Sequence, residues 1–73
     1  MNYTIQNLCE ASGYKLNTIS KFLTLSGVSN HFELTKKDLI KLYNNIYIVS
    51  FKAQLLKNYL RDELIDELLR VES

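Results

Sequence analysis

The chain carries almost no punctuation. Proline is absent, and both glycines, Gly13 and Gly27, fall within the first 27 of 73 residues. Proline and glycine are the residues that stop helices and shape turns. Beyond Leu34 only the pair Asn44-Asn45 offers a break. A chain of this kind is expected to be all-α, with short elements near its start and long ones after.

The apolar spacing agrees. Thr4 is placed to cap a first helix, in which Ile5, Leu8, Cys9 and Ser12 share one face, and Gly13 suits its left-handed end. Leu16, Ile19, Phe22, Leu23 and Leu25 recur at helical spacing and give a second amphipathic helix of about ten residues. Residues 25–30 read as a turn. Thr35-Lys36-Lys37-Asp38 has the spacing of a capping box and opens a third helix, whose stripe continues through Leu39, Leu42, Tyr43, Ile46 and Tyr47. Residues 46–51 (Ile-Tyr-Ile-Val-Ser-Phe) have strand-like composition. Their neighbours are helical and no partner strand is evident, so they read as helix, bent near Asn44-Asn45. From Lys52 to Val71, Leu, Lys, Glu, Gln and Arg dominate, which are strong helix formers.

That last helix has a wide apolar face. Leu56, Leu60, Leu64, Leu68 and Val71 form a ridge, and Leu55, Tyr59, Ile65 and Leu69 broaden it. A core in a chain this short supplies only about 3–5 kcal/mol, so further support is expected. Cys9 is alone, which excludes an internal disulfide. One Cys and one His (His31) cannot hold a structural zinc. Self-association through Leu56, Tyr59, Leu60, Leu64 and Leu68 is therefore the expected support, with folding of this helix over its own chain as the other solution.

Composition and motif exclude several functions. At 47% hydrophobic and 23% charged residues the chain is globular rather than disordered. No apolar run approaches a membrane span. The start has neither a basic nor an apolar leader segment, so the expected location is cytoplasmic, on the nucleoid when bound to DNA. A nucleophilic site needs an oriented His, and only His31 is present, without a glycine-rich loop beside it. Asp62-Glu63 and Asp66-Glu67 fit the solvated face of a helix. No enzyme, cofactor or metal is expected.

Charge is divided along the chain. Residues 1–60 hold seven Lys and three acids, whereas residues 61–73 hold Arg61 and Arg70 against five acids. A polyanion would be tolerated on one side only.

The remaining constellation is a helix–turn–helix. Two short helices sharing one core need apolar residues at fixed offsets, a small residue where they cross and a glycine in the turn. Counting from Ile5, the pattern is met by Leu8 (fourth), Cys9 (fifth), Gly13 (ninth), Tyr14 (tenth), Ile19 (fifteenth) and Phe22 (eighteenth). Ser12 stands where an apolar residue is commoner, and Lys15 where Ser or Thr usually caps the second helix. On these residues, together with Tyr3-Thr4-Ile5 at the start and Phe32 through Leu39 after the turn, residues 3–43 resemble the small winged helix–turn–helix proteins of the excisionase and MerR type.

The resemblance implies a second helix that reads DNA. Asn17 and Ser20 are the expected base readers, Thr18 and Thr24 lie beside them, and Lys15, Lys21, Lys36 and Lys37 are the expected phosphate contacts. Residues 25–31 are too short for a full wing and lack its cations, so the wing is reduced or absent, with room for a vestigial hairpin around residues 28–32. The expected organisation is a DNA-binding region in residues 1–48 and a dimerisation helix in residues 49–73, one domain overall. The expected function is a homodimeric, sequence-specific regulator of transcription or recombination from a phage or plasmid, with double-stranded DNA as partner. The alternative is a small protein-binding module (antirepressor, antitoxin or host-factor inhibitor) whose apolar C-terminal helix binds a host or phage protein.

Overall fold

Local hydrogen bonding at the helix ends sets out the architecture. The computed structural model describes residues 3–66 and Leu69. Within them lie four helices: α1 (Ile5–Ser12), α2 (Leu16–Leu25), α3 (Lys36–Asn45) and α4 (Phe51–Glu63). Among the described residues there is no strand beyond one isolated bridge, and the protein is all-α.

The capping box expected at Thr35 forms, and the expected Thr4 cap proves to be a second box. The Thr4 hydroxyl accepts from the Asn7 N–H while the Asn7 side chain accepts from the Thr4 N–H. Thr35 and Asp38 do the same at α3. Each box satisfies two of the backbone donors that a helix start leaves orphaned. Gly13 ends α1 at φ 82°, in the left-handed region, with its N–H on the Cys9 carbonyl. A side chain there would be strained.

Ser12 shows what a departure from an apolar pattern can accomplish. It is buried, and its hydroxyl donates to the Leu8 carbonyl at 2.7 Å and accepts from the Tyr14 N–H at 3.2 Å. The polar group is thus satisfied, and it fastens the three-residue turn between α1 and α2.

Residues 46–50 correct the reading of a continuous bent helix. Helix α3 stops at Asn45, whose side-chain amide donates to the Lys41 carbonyl at 2.7 Å. Ile46 is extended (φ −87°, ψ 130°), and the extended Ser50 caps α4 by accepting from the Ala53 N–H. Strand-forming side chains and a Ser cap outweigh the helical neighbours here. The hairpin expected at residues 28–32 is absent. In its place Tyr3 and Leu34 make a two-bond antiparallel bridge (2.7 and 2.8 Å) that ties the chain start to the approach of α3.

The ridge of α4 is the main correction. Leu56, Leu60 and Leu64 are completely buried within the chain, alongside Leu8, Ile19, Leu23, Leu34, Leu39 and Leu42. Tyr59 is half-buried against the same cluster. Helix α4 packs on α1 and α3, because three helices of eight to ten residues cannot enclose a core alone. Each buried Leu contributes about 1.5–3 kcal/mol of transfer free energy. Leu56, Leu60 and Leu64 are therefore core rather than a dimer seam, and Tyr59 packs at the edge of that core. Leu68 and Val71 lie outside the described residues. A hydrogen bond from the Tyr3 hydroxyl to Glu63 Oε2 (3.1 Å) closes the fold between its two ends. Among the described residues no helix is long and apolar enough to cross a membrane.

Candidate nucleic-acid interface

Helix α2 buries Ile19 and Leu23 and half-buries Phe22. By helical geometry its opposite side must face outward. Asn17, Lys21 and Thr24 are exposed there, Thr18 and Ser20 are half-buried, and Lys15 is exposed at the N-cap position. Lys15 provides no side-chain cap. The Thr18 and Ile19 N–H groups bond the Lys15 carbonyl, and the Leu16 and Asn17 N–H groups ahead of them have no acceptor within the described residues. Leu16 is half exposed beside them.

One expected reader, Ser20, and its neighbour Thr24 are partly engaged inside the protein. The Thr24 hydroxyl donates to the Ser20 carbonyl at 3.0 Å. Ser20 Oγ lies 2.9 Å from His31 Nδ1, and His31 Nε2 lies 2.9 Å from the Val28 carbonyl oxygen. Since a carbonyl only accepts, Nε2 carries a hydrogen and donates to it. In the neutral ring Nδ1 then accepts from the Ser20 hydroxyl. His31 consequently anchors the 26–33 connection to α2, and Ser20 is part of that anchor. The sequence pattern could not show this, because the bond joins residues in separate elements. Asn30 Oδ1 accepts from the Phe32 and Glu33 N–H groups and leaves Phe32 almost wholly exposed.

The start of α3 is closed to anions. Asp38 Oδ2 accepts from both the Thr35 N–H (2.9 Å) and the Thr35 hydroxyl (3.1 Å), placing a carboxylate where a phosphate would sit. Lys37 is exposed and Lys36 half-buried beside it. Two further lysines are turned to aromatic rings: Lys57 Nζ lies 4.7 Å from the Tyr43 ring centre, and Lys52 Nζ lies 5.9 Å from that of Tyr14.

Electrostatically, α2 stands apart. No acid occurs between Glu10 and Glu33, a span that holds Lys15, Lys21 and His31. The outward side of α4 is mixed, with Arg61 and Asp62 exposed on it and Asp66 exposed just beyond its end.

Chemistry elsewhere is sparse. Partial burial, and then the neighbouring Glu10, push the Cys9 thiol above its ordinary pKa, which disfavours the reactive thiolate. Burial, then Glu63 and Tyr3, raise the Tyr59 phenol. Among the described residues, no three His, Cys, Asp or Glu side chains gather as a metal site.

A second surface, missed in the sequence, lies at the other end of α2. An apolar groove of about 380 Å³ runs between Phe22, Leu25, Leu42, Ile46, Ala53 and Leu56. Its sequence signal was the strand-like segment 46–51, which a helix reading concealed. Comparisons with protein families, with curated proteins and with solved structures found no match to this chain.

Proposed function

We propose that the protein is a sequence-specific DNA-binding regulator in which α1 and α2 act as a helix–turn–helix and α2 enters the major groove. The observation that carries this reading is the outward side of α2: Lys15, Asn17, Lys21 and Thr24 are all exposed, on a stretch free of acids between Glu10 and Glu33. An α-helix fits the major groove, where Asn can bond an adenine edge bidentately and an apolar side chain such as Leu16 can meet a thymine methyl. Lys15 and Lys21 supply phosphate contacts, and the uncapped N–H groups at the start of α2 suit a further one. Lys37 adds a cation at α3, where Asp38 blocks the helix end itself. Ser20 is assigned to the scaffold because of its bond to His31. The protein-binding alternative requires the α4 ridge, of which Leu56, Leu60 and Leu64 lie within the chain's own core.

The test is a gel shift of the full chain on a random duplex pool at low and moderate salt, followed by selection of the retained sequences. Retention that falls steeply with salt, and a recovered motif that Asn17→Ala blurs by about 1–3 kcal/mol of discrimination, supports the reading. No retention at low salt overturns it.

A further inference from the structure

The connection between α3 and α4 carries a surface that DNA binding does not use. Tyr47 is 82% and Val49 83% exposed, Ile48 is half exposed, and Phe51 and Leu25 show three quarters of their surface. Among the described residues, no hydrogen bond involves the backbone of Tyr47, Ile48 or Val49. Both ends of the segment, Ile46 and Ser50, are extended. Tyr47 and Val49 also line the apolar groove.

We propose that this segment and groove form the interface between two copies of the chain, each segment pairing with its partner's across a two-fold axis. Four observations converge on a second copy as the occupant. The first is area. Leu25, Tyr47 and Val49 line the groove and Ile48 and Phe51 neighbour them in sequence; the five together present roughly 700 Å², close to the ~800 Å² per partner of a stable interface.

The second is charge. No charged residue lines the groove or occurs between Leu42 and Phe51. A two-fold axis sets each group near its own copy, so an uncharged patch avoids self-repulsion. The third is the backbone. A row of unpaired N–H and C=O groups in a β-branched segment is completed by an antiparallel strand. An amphipathic helix could fill the groove but would leave that row unpaired, whereas a second copy supplies both apolar side chains and a strand. The fourth is the internal fate of Leu56, Leu60 and Leu64, which are covered within the chain, whereas Tyr47, Ile48, Val49 and Phe51 stay exposed within five consecutive residues.

The inference deepens the regulator reading by moving its dimer seam, but it assumes nothing about DNA. It is tested without nucleic acid, so the two can fail separately. Sedimentation equilibrium of the full chain should give a dimer at about 50 μM. Tyr47→Glu with Val49→Glu should give a monomer with unchanged helix content, association weakening about 100-fold or more. Ile65→Asp, at an exposed site just beyond α4, should leave the dimer intact. A cross-link removes dependence on any destabilised variant: Val49→Cys in a Cys9→Ser background should form an intermolecular disulfide under mild oxidation, and Asn17→Cys in that background should not. A wild-type chain that stays monomeric at about 100 μM, a dimer indifferent to the double substitution, or a dimer separated by Ile65→Asp instead overturns the proposal.

Discussion

Helices α2 and α4 look alike as sequence and differ as structure. Each has apolar residues at three- and four-residue steps, and each could in principle serve the outside of the molecule. In α2 the buried stripe is narrow, Ile19 and Leu23 with Phe22 at the edge, and the remaining sides carry Asn17, Lys21 and Thr24 to solvent. In α4 the wide ridge of Leu56, Leu60 and Leu64 is consumed internally, covering α1 and α3. The width of an apolar face measures how much partner surface it needs. It does not say whether the partner belongs to the same chain. Here a long helix encloses a core that three short ones cannot, and the outward side of a short helix stays exposed.

The sharpest way to break this comparison is at Leu60. It is fully buried at the middle of the ridge, so Leu60→Ala should cost about 2–5 kcal/mol, a large share of the stability of so small a core. Urea unfolding measures it. A loss under about 0.5 kcal/mol would mean that the ridge is a surface after all. By contrast, Lys21→Ala should leave the urea midpoint in place.

Gly13 comes next, because the turn it permits is what orients α2 against α1. Its φ of 82° lies where a Cβ is strained, although the space is open, with only the end of Lys52 nearby at 3.9 Å. Gly13→Ala should therefore cost about 1–2 kcal/mol from conformation alone. A neutral result would show that the turn relaxes.

The smallest stability effect tests how α4 is fastened to the chain start. Tyr3→Phe removes the hydrogen bond to Glu63 and should cost about 0.5–1.5 kcal/mol. The same corner has a pH signature. The Tyr59 phenol is raised in the folded state by burial, by Glu63 and by Tyr3. A group whose folded pKa lies above its unfolded one contributes stability that is complete below the unfolded value, near pH 10 for tyrosine, and that is lost as pH rises through the folded value. Thermal unfolding should show an alkaline loss beginning near pH 10, smaller in Tyr59→Phe. An identical alkaline profile in that variant would contradict the assignment.

How far the sequence could be read follows from the range of the interactions. The starts of α1 and α3 were legible because the Thr4 cap and the Thr35–Asp38 box act over three residues, and Gly13 acts on its own backbone. Both the all-α class and the outward placement of Lys15, Asn17 and Lys21 follow from that local order. The α4 ridge was not legible, since its partners Leu8 and Leu39 are far away in the chain. Neither was the engagement of Ser20, whose bond to His31 crosses between elements. The segment 46–50 misled for a different reason: its composition conflicted with its neighbours, and the Ser50 cap that decides the conflict is a single residue within an apolar run.

The central claim is that the exposed side of α2 meets DNA phosphates. The most direct measurement is the slope of log affinity against log salt for the full chain on duplex DNA, wild type against Lys21→Ala. Lys21 is exposed and buries nothing in the core, so any change reports the contact and not the fold. The account predicts a variant that folds equally well, binds all sequences more weakly, and loses about 0.9 of slope for each subunit bound, the value of one released counterion per phosphate contact. Equal slopes for the two proteins would contradict it and leave α2 as scaffold alone.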